Sequence, residues 1–164
     1  MNVLSLFDGM SCGRIALSKA GIHVDKYFAS EIKKSAIKVS KYNWSDIEHI
    51  GDVANVLSSQ AIKNNNIDLL IGGSPCQDFS AANAIFGERK GLNGNRSSLF
   101  YEYLRILKTL NPKYFLLENV KMRKDSKKQL DDYLGVEGVL INSSLVSYQN
   151  RERYYWTNIP FEVL

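Results

Sequence analysis

The sequence predicts an α/β fold, a single mostly parallel sheet with helices on both faces. Three observations carry that prediction. Short apolar segments of strand length alternate with stretches of helical periodicity, which is the pattern of βαβ units. The first apolar segment runs into a glycine-bearing turn, Asp8-Gly9-Met10-Ser11-Cys12-Gly13, which opens a helical pattern. The fourth, Leu69-Leu70-Ile71-Gly72-Gly73-Ser74-Pro75-Cys76, ends abruptly on glycines, a proline and a cysteine. In open α/β sheets ligands sit beyond the carboxyl ends of the strands, and Cys76 at such a turn is the first nucleophile candidate.

The elements follow in order. Residues 3–7 read as a strand, and Ile15, Ala16, Leu17 and Ala20 mark the helix after the glycine turn. Gly21 ends that helix, and residues 24–30 form a second strand closing on Glu31. An acidic residue about 20 positions beyond a glycine turn is where dinucleotide folds keep a ribose-binding carboxylate. The turn is not a G-x-G-x-x-G fingerprint, so a tight connection and a solvated glutamate are the alternatives; together the two features favour a nucleoside ligand. Residues 33–42 are amphipathic, residues 46–49 form a short third strand, and a helix is expected over 54–63. Asp52 suits the cap of that helix better than a ligand contact. Residues 67–71 are the fourth strand.

Residues 77–98 carry polar side chains, Gly87, Gly91, Gly94 and the basic Arg89, Lys90 and Arg96. A connection of this length in a compact domain is commonly functional, and a basic, glycine-rich one beside a nucleophile suggests a lid over a charged substrate. Residues 99–110 form the clearest helix, with Phe100, Tyr103, Leu104, Leu107 and Leu110 on one face as core. Asn111-Pro112 stops it. Residues 114–117 are the fifth strand, and Glu118-Asn119 stands at its end, topologically equivalent to Cys76. A basic stretch, a helix to Leu134 and a strand near 139–141 lead to Arg151-Glu152-Arg153 and an aromatic strand at 154–156. Arg-x-Arg on a strand places both guanidiniums on one face.

The bulk numbers fit this picture. The chain has 164 residues, 45% of them hydrophobic and 23% charged, as expected for one domain with a substantial core. No apolar run approaches a membrane span, and the N-terminus carries no secretion signal. Cys12 and Cys76 are too few for a disulfide framework and are not spaced as a zinc site, which predicts a reducing, cytoplasmic setting and no metal. A net charge of +4 is compatible with a polyanionic partner such as nucleic acid.

Taken together, these residues resemble the DNA cytosine-5 methyltransferases, and look most like the de novo mammalian type and its phage or bacterial relatives. L-F-D-G-M-S-C-G is similar to the family's first cofactor motif, Y-F-A-S-E-I to the second and G-D-V to the adenine-contacting one. G-G-S-P-C-Q-D-F-S resembles the catalytic loop, L-L-E-N-V the catalytic glutamate motif and Q-N-R-E-R-Y-Y-W the paired-arginine motif. Amine methyltransferases would carry a D/N-P-P-Y/F tetrapeptide where this chain has Ser74-Pro75-Cys76-Gln77.

The resemblance implies a Rossmann-like, S-adenosylmethionine-dependent methyltransferase fold that places a methyl on carbon 5 of cytosine in double-stranded DNA. Cys76, Glu118, Arg151 and Arg153 are its implied catalytic set. Phe7, Asp8, Gly9, Met10, Ser11, Glu31, Ile32, Asp52, Val53, Pro75 and Leu99 are its implied cofactor pocket, while Cys12 is read as a small turn residue. Family members usually continue into a target recognition region and a last helix that returns to the cofactor site. Residues 1–164 are therefore expected to be the catalytic core alone, with a second subunit or a second copy of the chain supplying target recognition. Three readings stay open: a split or truncated enzyme, a self-sufficient minimal enzyme, and a catalytically silent binding or regulatory module retaining the fold.

Overall fold

A computed structural model describes residues 1–73 and 98–161. Its seven strands form one sheet in the order β3-β2-β1-β4-β5-β7-β6. The first half is β1 (Asn2–Leu6), α1 (Cys12–Lys19), β2 (Lys26–Ser30), α2 (Lys34–Asn43), β3 (Ile47–Gly51), α3 (Gln60–Lys63) and β4 (Leu69–Gly72). The second half is α4 (Ser98–Leu110), β5 (Tyr114–Val120), α5 (Lys124–Leu134), β6 (Val139–Asn142) and β7 (Glu152–Thr157). β1 to β5 pair in parallel; β7 is antiparallel to both β5 and β6. The chain runs outward from β1 to β3 and then crosses back to place β4 on the other side of β1. This reversal makes the β1/β4 boundary the topological switch point, where a crevice opens beyond the strand ends.

Alternation along the strands sorts the core onto two faces. Leu4, Leu6, Leu70, Phe115 and Leu117 pack with Phe100, Tyr103, Leu104 and Ile106 of α4, Leu130 of α5 and Trp156. Val3, Tyr27, Ala29, Leu69 and Ile71 face the other way, against Leu17 of α1. A Cβ on Gly13 would come within 2.4 Å of Ile71 Cδ1 and 3.0 Å of the Tyr27 hydroxyl, so glycine lets the start of α1 lie directly on the sheet. Further along this face Leu116, Ile141, Tyr155, Ile159 and Phe161 line an open apolar groove.

Two local expectations are corrected. The helix anticipated over 54–63 is a 3₁₀ segment (Val53–Ser58) followed by the short α3, with extended backbone at Ser59 between them. The Ser58 hydroxyl donates to the Asn55 carbonyl at 2.8 Å, a local bond that competes with helix propagation. The fifth strand runs past residue 117 to Val120, because β7 supplies a ladder for Glu118–Val120 after β4 has ended at Gly72 opposite Leu117.

Asp131 of α5 ties the antiparallel end to the helix layer. Its Oδ1 accepts from the indole N–H of fully buried Trp156 at 2.7 Å and from the Gly138 amide at 2.9 Å; Oδ2 accepts from Lys127 Nζ at 2.6 Å. Burial alone would raise the Asp131 carboxyl, but the Lys127 ammonium and the two N–H donors outweigh it and hold it below the usual carboxylate range. Asp131→Ala would orphan a buried indole N–H and a backbone amide. Urea denaturation should show a loss of about 1–3 kcal/mol, the cost of unsatisfied buried donors.

Candidate active site

The turn after β1 is strained and heavily braced. Phe7 (φ 56°), Gly9 (φ 60°) and Ser11 (φ 63°) all occupy the left-handed region. Each of the two non-glycine residues costs about 1–2 kcal/mol there, so other contacts must hold them. The Asp8 carboxylate supplies the first. Its Oδ1 accepts from the Tyr27 hydroxyl at 2.8 Å and its Oδ2 from the Ser11 hydroxyl at 2.5 Å. Glu31, at the end of β2, supplies the second: its Oε2 accepts the Gly9 amide at 2.8 Å, and its Oε1 accepts the amides of Ile32 and Lys33 at 2.8 and 2.7 Å.

Sequence reasoning missed the third brace. Ser11 Oγ lies 2.6 Å from Ser40 Oγ on α2, which lies 3.2 Å from Nε2 of His49 on β3. Both serines are fully buried. No motif marks Ser40 or His49; the only signal was a serine on the inward side of an amphipathic helix.

The other expected cofactor residues that the structure describes lie on several elements. Met10 and Ile32 present apolar side chains to solvent, 53% and 70% exposed. Val53 is buried, and Phe7 and Leu99 pack partly against the main core. Asp52 Oδ1 accepts the Ala54 amide at 3.0 Å, capping the 3₁₀ segment as the spacing suggested. Cys12 is the exposed first residue of α1. Exposed apolar side chains, the Glu31 carboxylate and a braced backbone turn are the kinds of group that a nucleoside with a charged tail would use. Glu31 retains acceptor capacity beyond its three amide bonds.

The second cluster lies where β5 outlasts β4. Glu118 Oε1 is 3.0 Å from Arg153 Nε and 3.5 Å from Arg151 Nη2, so both guanidiniums reach one carboxylate. Arg153 sits on β7 opposite Val120, one diagonal step from Glu118; Arg151 immediately precedes the strand. Asn142, also unmarked by the sequence, positions Arg151 by accepting its amide at 3.0 Å. A Cβ on Gly73 would lie 3.0 Å from Glu118 Oε2, so the carboxylate faces the chain leaving β4. Burial, with the Glu118 charge next, raises the Tyr155 phenol across the ladder. Pro75, Cys76 and the expected lid at 77–98 fall outside the described residues, apart from Ser98 at the start of α4. Within the basic stretch Lys121 is paired with Glu152 at 2.8 Å and Lys127 with Asp131. Among the described residues no acidic, histidine or cysteine group is disposed to hold a metal ion, and no helix is long and apolar enough to cross a membrane.

Burial, then the Lys41 charge, lowers the His49 imidazole below its ordinary range, with Asp8 and Glu31 acting weakly in the opposite sense. The unfolded chain therefore takes up this proton first as pH falls. The stability contributed by neutral His49 is complete above the unfolded value of about 6.5 and is lost as pH falls through the lower folded value. Thermal melts from pH 8 to 5 should show a steeper decline for the wild type than for His49→Gln, which does not titrate.

Comparison with known proteins identifies the family. The family model described as C-5 cytosine-specific DNA methylase matches residues 1–157. The orphan methyltransferase M.SPRI of Bacillus phage SPR is 36% identical over all of this chain and 39% of its own length. The type II methyltransferase M.NgoBV of Neisseria gonorrhoeae is 34% identical over 94% of this chain and 40% of its own. A solved structure described as a prophage-encoded DNA modification methyltransferase (E. coli) superposes with a TM-score of 0.74 and 25% identity, over 96% of this chain and 46% of that one. The chain thus spans about two fifths of the length of these curated relatives. With a match running from the strained turn to the paired arginines, the chain belongs to the C-5 cytosine-specific DNA methylase family.

Proposed function

We propose that this chain carries the catalytic core of a DNA cytosine-5 methyltransferase, acting through Cys76 on a base flipped out of the duplex. The observation that carries the reading is the clamp of Arg151 and Arg153 on Glu118, which faces the chain leaving β4 three residues before Cys76.

Carbon 5 of cytosine is a weak nucleophile until a thiolate adds at carbon 6. Cys76 suits that addition, since a thiolate is strongly nucleophilic even when it is a minor fraction of the thiol. As the sulfur–carbon bond forms, the ring's electron pair moves toward carbon 5 and negative charge develops at nitrogen 3. The Glu118 carboxyl holds a proton against nitrogen 3 and relieves that charge. Arg151 and Arg153 orient the Glu118 carboxyl group and the base. S-adenosylmethionine, the cofactor used by this family, supplies an electrophilic methyl when bound. Carbon 5 takes that methyl, the cofactor's sulfur keeping the bonding pair as S-adenosylhomocysteine; loss of the carbon-5 proton to a base then returns electrons through the ring and expels Cys76 as thiolate. A stacked base cannot be attacked in this way, which accounts for flipping.

Phe7, Asp8, Gly9, Met10 and Ser11 form the cofactor's cradle, with Glu31 on the ribose, Ile32, Asp52 and Val53 around the base, and Pro75 and Leu99 completing the wall. Target recognition comes from a partner or from sequence beyond this core, as the greater length of the relatives suggests.

The test is covalent trapping. Incubated with S-adenosylmethionine and DNA containing 5-fluorocytosine, the chain should form an adduct stable on a denaturing gel, because fluorine cannot leave as a proton does. Cys76→Ser should form none, and Glu118→Gln should trap about 10²-fold more slowly or worse, the usual worth of a positioned acid. No adduct even with a partner subunit present would sink the enzyme reading.

A further inference from the structure

We propose that Ser40 and His49 are positioning residues for the turn after β1, holding it through Ser11 in the shape that receives the cofactor. The inference rests on the cofactor reading above and adds two residues, on α2 and β3, to it.

Counting protons gives the chain of bonds a direction. The Asp8 carboxylate can only accept, so the single Ser11 hydroxyl proton points to Asp8 Oδ2. Ser11 Oγ then has only lone pairs left for Ser40, so the Ser40 proton points to Ser11. Ser40 Oγ in turn needs a donor, and His49 Nε2 is the atom that faces it. His49 is therefore the Nε2–H tautomer, and its buried Nδ1, which has no partner among the described residues, keeps its lone pair. The relay reads His49 N–H to Ser40 to Ser11 to Asp8, with every proton ordered toward one carboxylate.

This arrangement does more than fill space. Ser11 is both the left-handed residue before α1 and the centre of the relay, so its backbone shape depends on where its hydroxyl is held. Ser11 and Ser40 are fully buried, where water cannot replace a lost bond and each hydrogen bond is electrostatically stronger. Tyr27 and Glu31 anchor Asp8 and Gly9, but the relay is what ties Ser11 to β3, near the sheet's edge.

Three variants separate positioning from packing. His49→Leu removes the donor, His49→Gln keeps an N–H at similar reach, and Ser40→Ala deletes one oxygen with little change of shape. Two readouts apply below the melting temperature of each: amide exchange of Gly9, Met10 and Ser11 in the free chain, and affinity for S-adenosylmethionine by calorimetry. His49→Leu and Ser40→Ala should speed exchange and weaken affinity by about fivefold, the worth of one net hydrogen bond, while His49→Gln stays within about twofold. In a Ser11→Ala background the His49→Leu effect should vanish, since the coupling runs through that hydroxyl. Unchanged exchange and affinity in His49→Leu and Ser40→Ala, or equal losses in both His49 variants, would overturn the relay while leaving the cofactor reading intact. A wild-type chain that binds no S-adenosylmethionine would instead overturn the cofactor reading and the purpose given to the relay.

Discussion

The carboxylate of Asp8 is the constraint on which the rest of the site depends. It stands at the carboxyl end of β1, beside the switch point of the sheet, and neutral donors occupy both of its oxygens. Those bonds are one of three braces that hold left-handed backbone at Phe7, Gly9 and Ser11 in place. With them the chain reverses sharply enough to start α1 directly over Ile71, where the absence of a side chain on Gly13 permits contact.

The second cluster is built by a different device, a mismatch of strand lengths. β4 stops at Gly72 while β5 continues for three more residues, supported from the other side by antiparallel β7. Glu118 therefore sits on a ledge, paired on the β7 side and, among the described residues, beyond the end of β4 on the other, with its carboxylate turned toward Gly73. The same strand that completes the ladder carries Arg153, so one pairing both extends β5 and delivers a guanidinium to its glutamate. A half-buried aspartate, Asp131, anchors that antiparallel end through Trp156, linking the integrity of the helix layer to the position of the arginines.

The two clusters differ in how they treat charge. Around Asp8 the donors are neutral hydroxyls in a partly buried setting, and the half-buried His49 ends the relay. Around Glu118 the partners are arginines that remain partly exposed, so solvent screens the attraction and the gain is mainly one of orientation. A rigid cradle suits a cofactor that must be held in one pose. An oriented but accessible carboxylate suits a substrate that has to enter and leave.

Much of this was legible from the residues alone. Strand and helix periodicity, the glycine turn, the acid at the end of β2 and the polar ends of β4 and β5 are local features, and local features are what a linear pattern records. The Arg-x-Arg spacing even placed both guanidiniums on one side, as their shared contact with Glu118 requires. Tertiary structure decided what depends on partners distant in sequence. The extension of β5 follows from pairing with β7, more than 30 residues further along the chain, which no window of sequence contains. The Ser11–Ser40–His49 relay is the clearest case, because a serine and a histidine gain meaning only when folding brings 29 and 9 residues of separation down to hydrogen-bond distance.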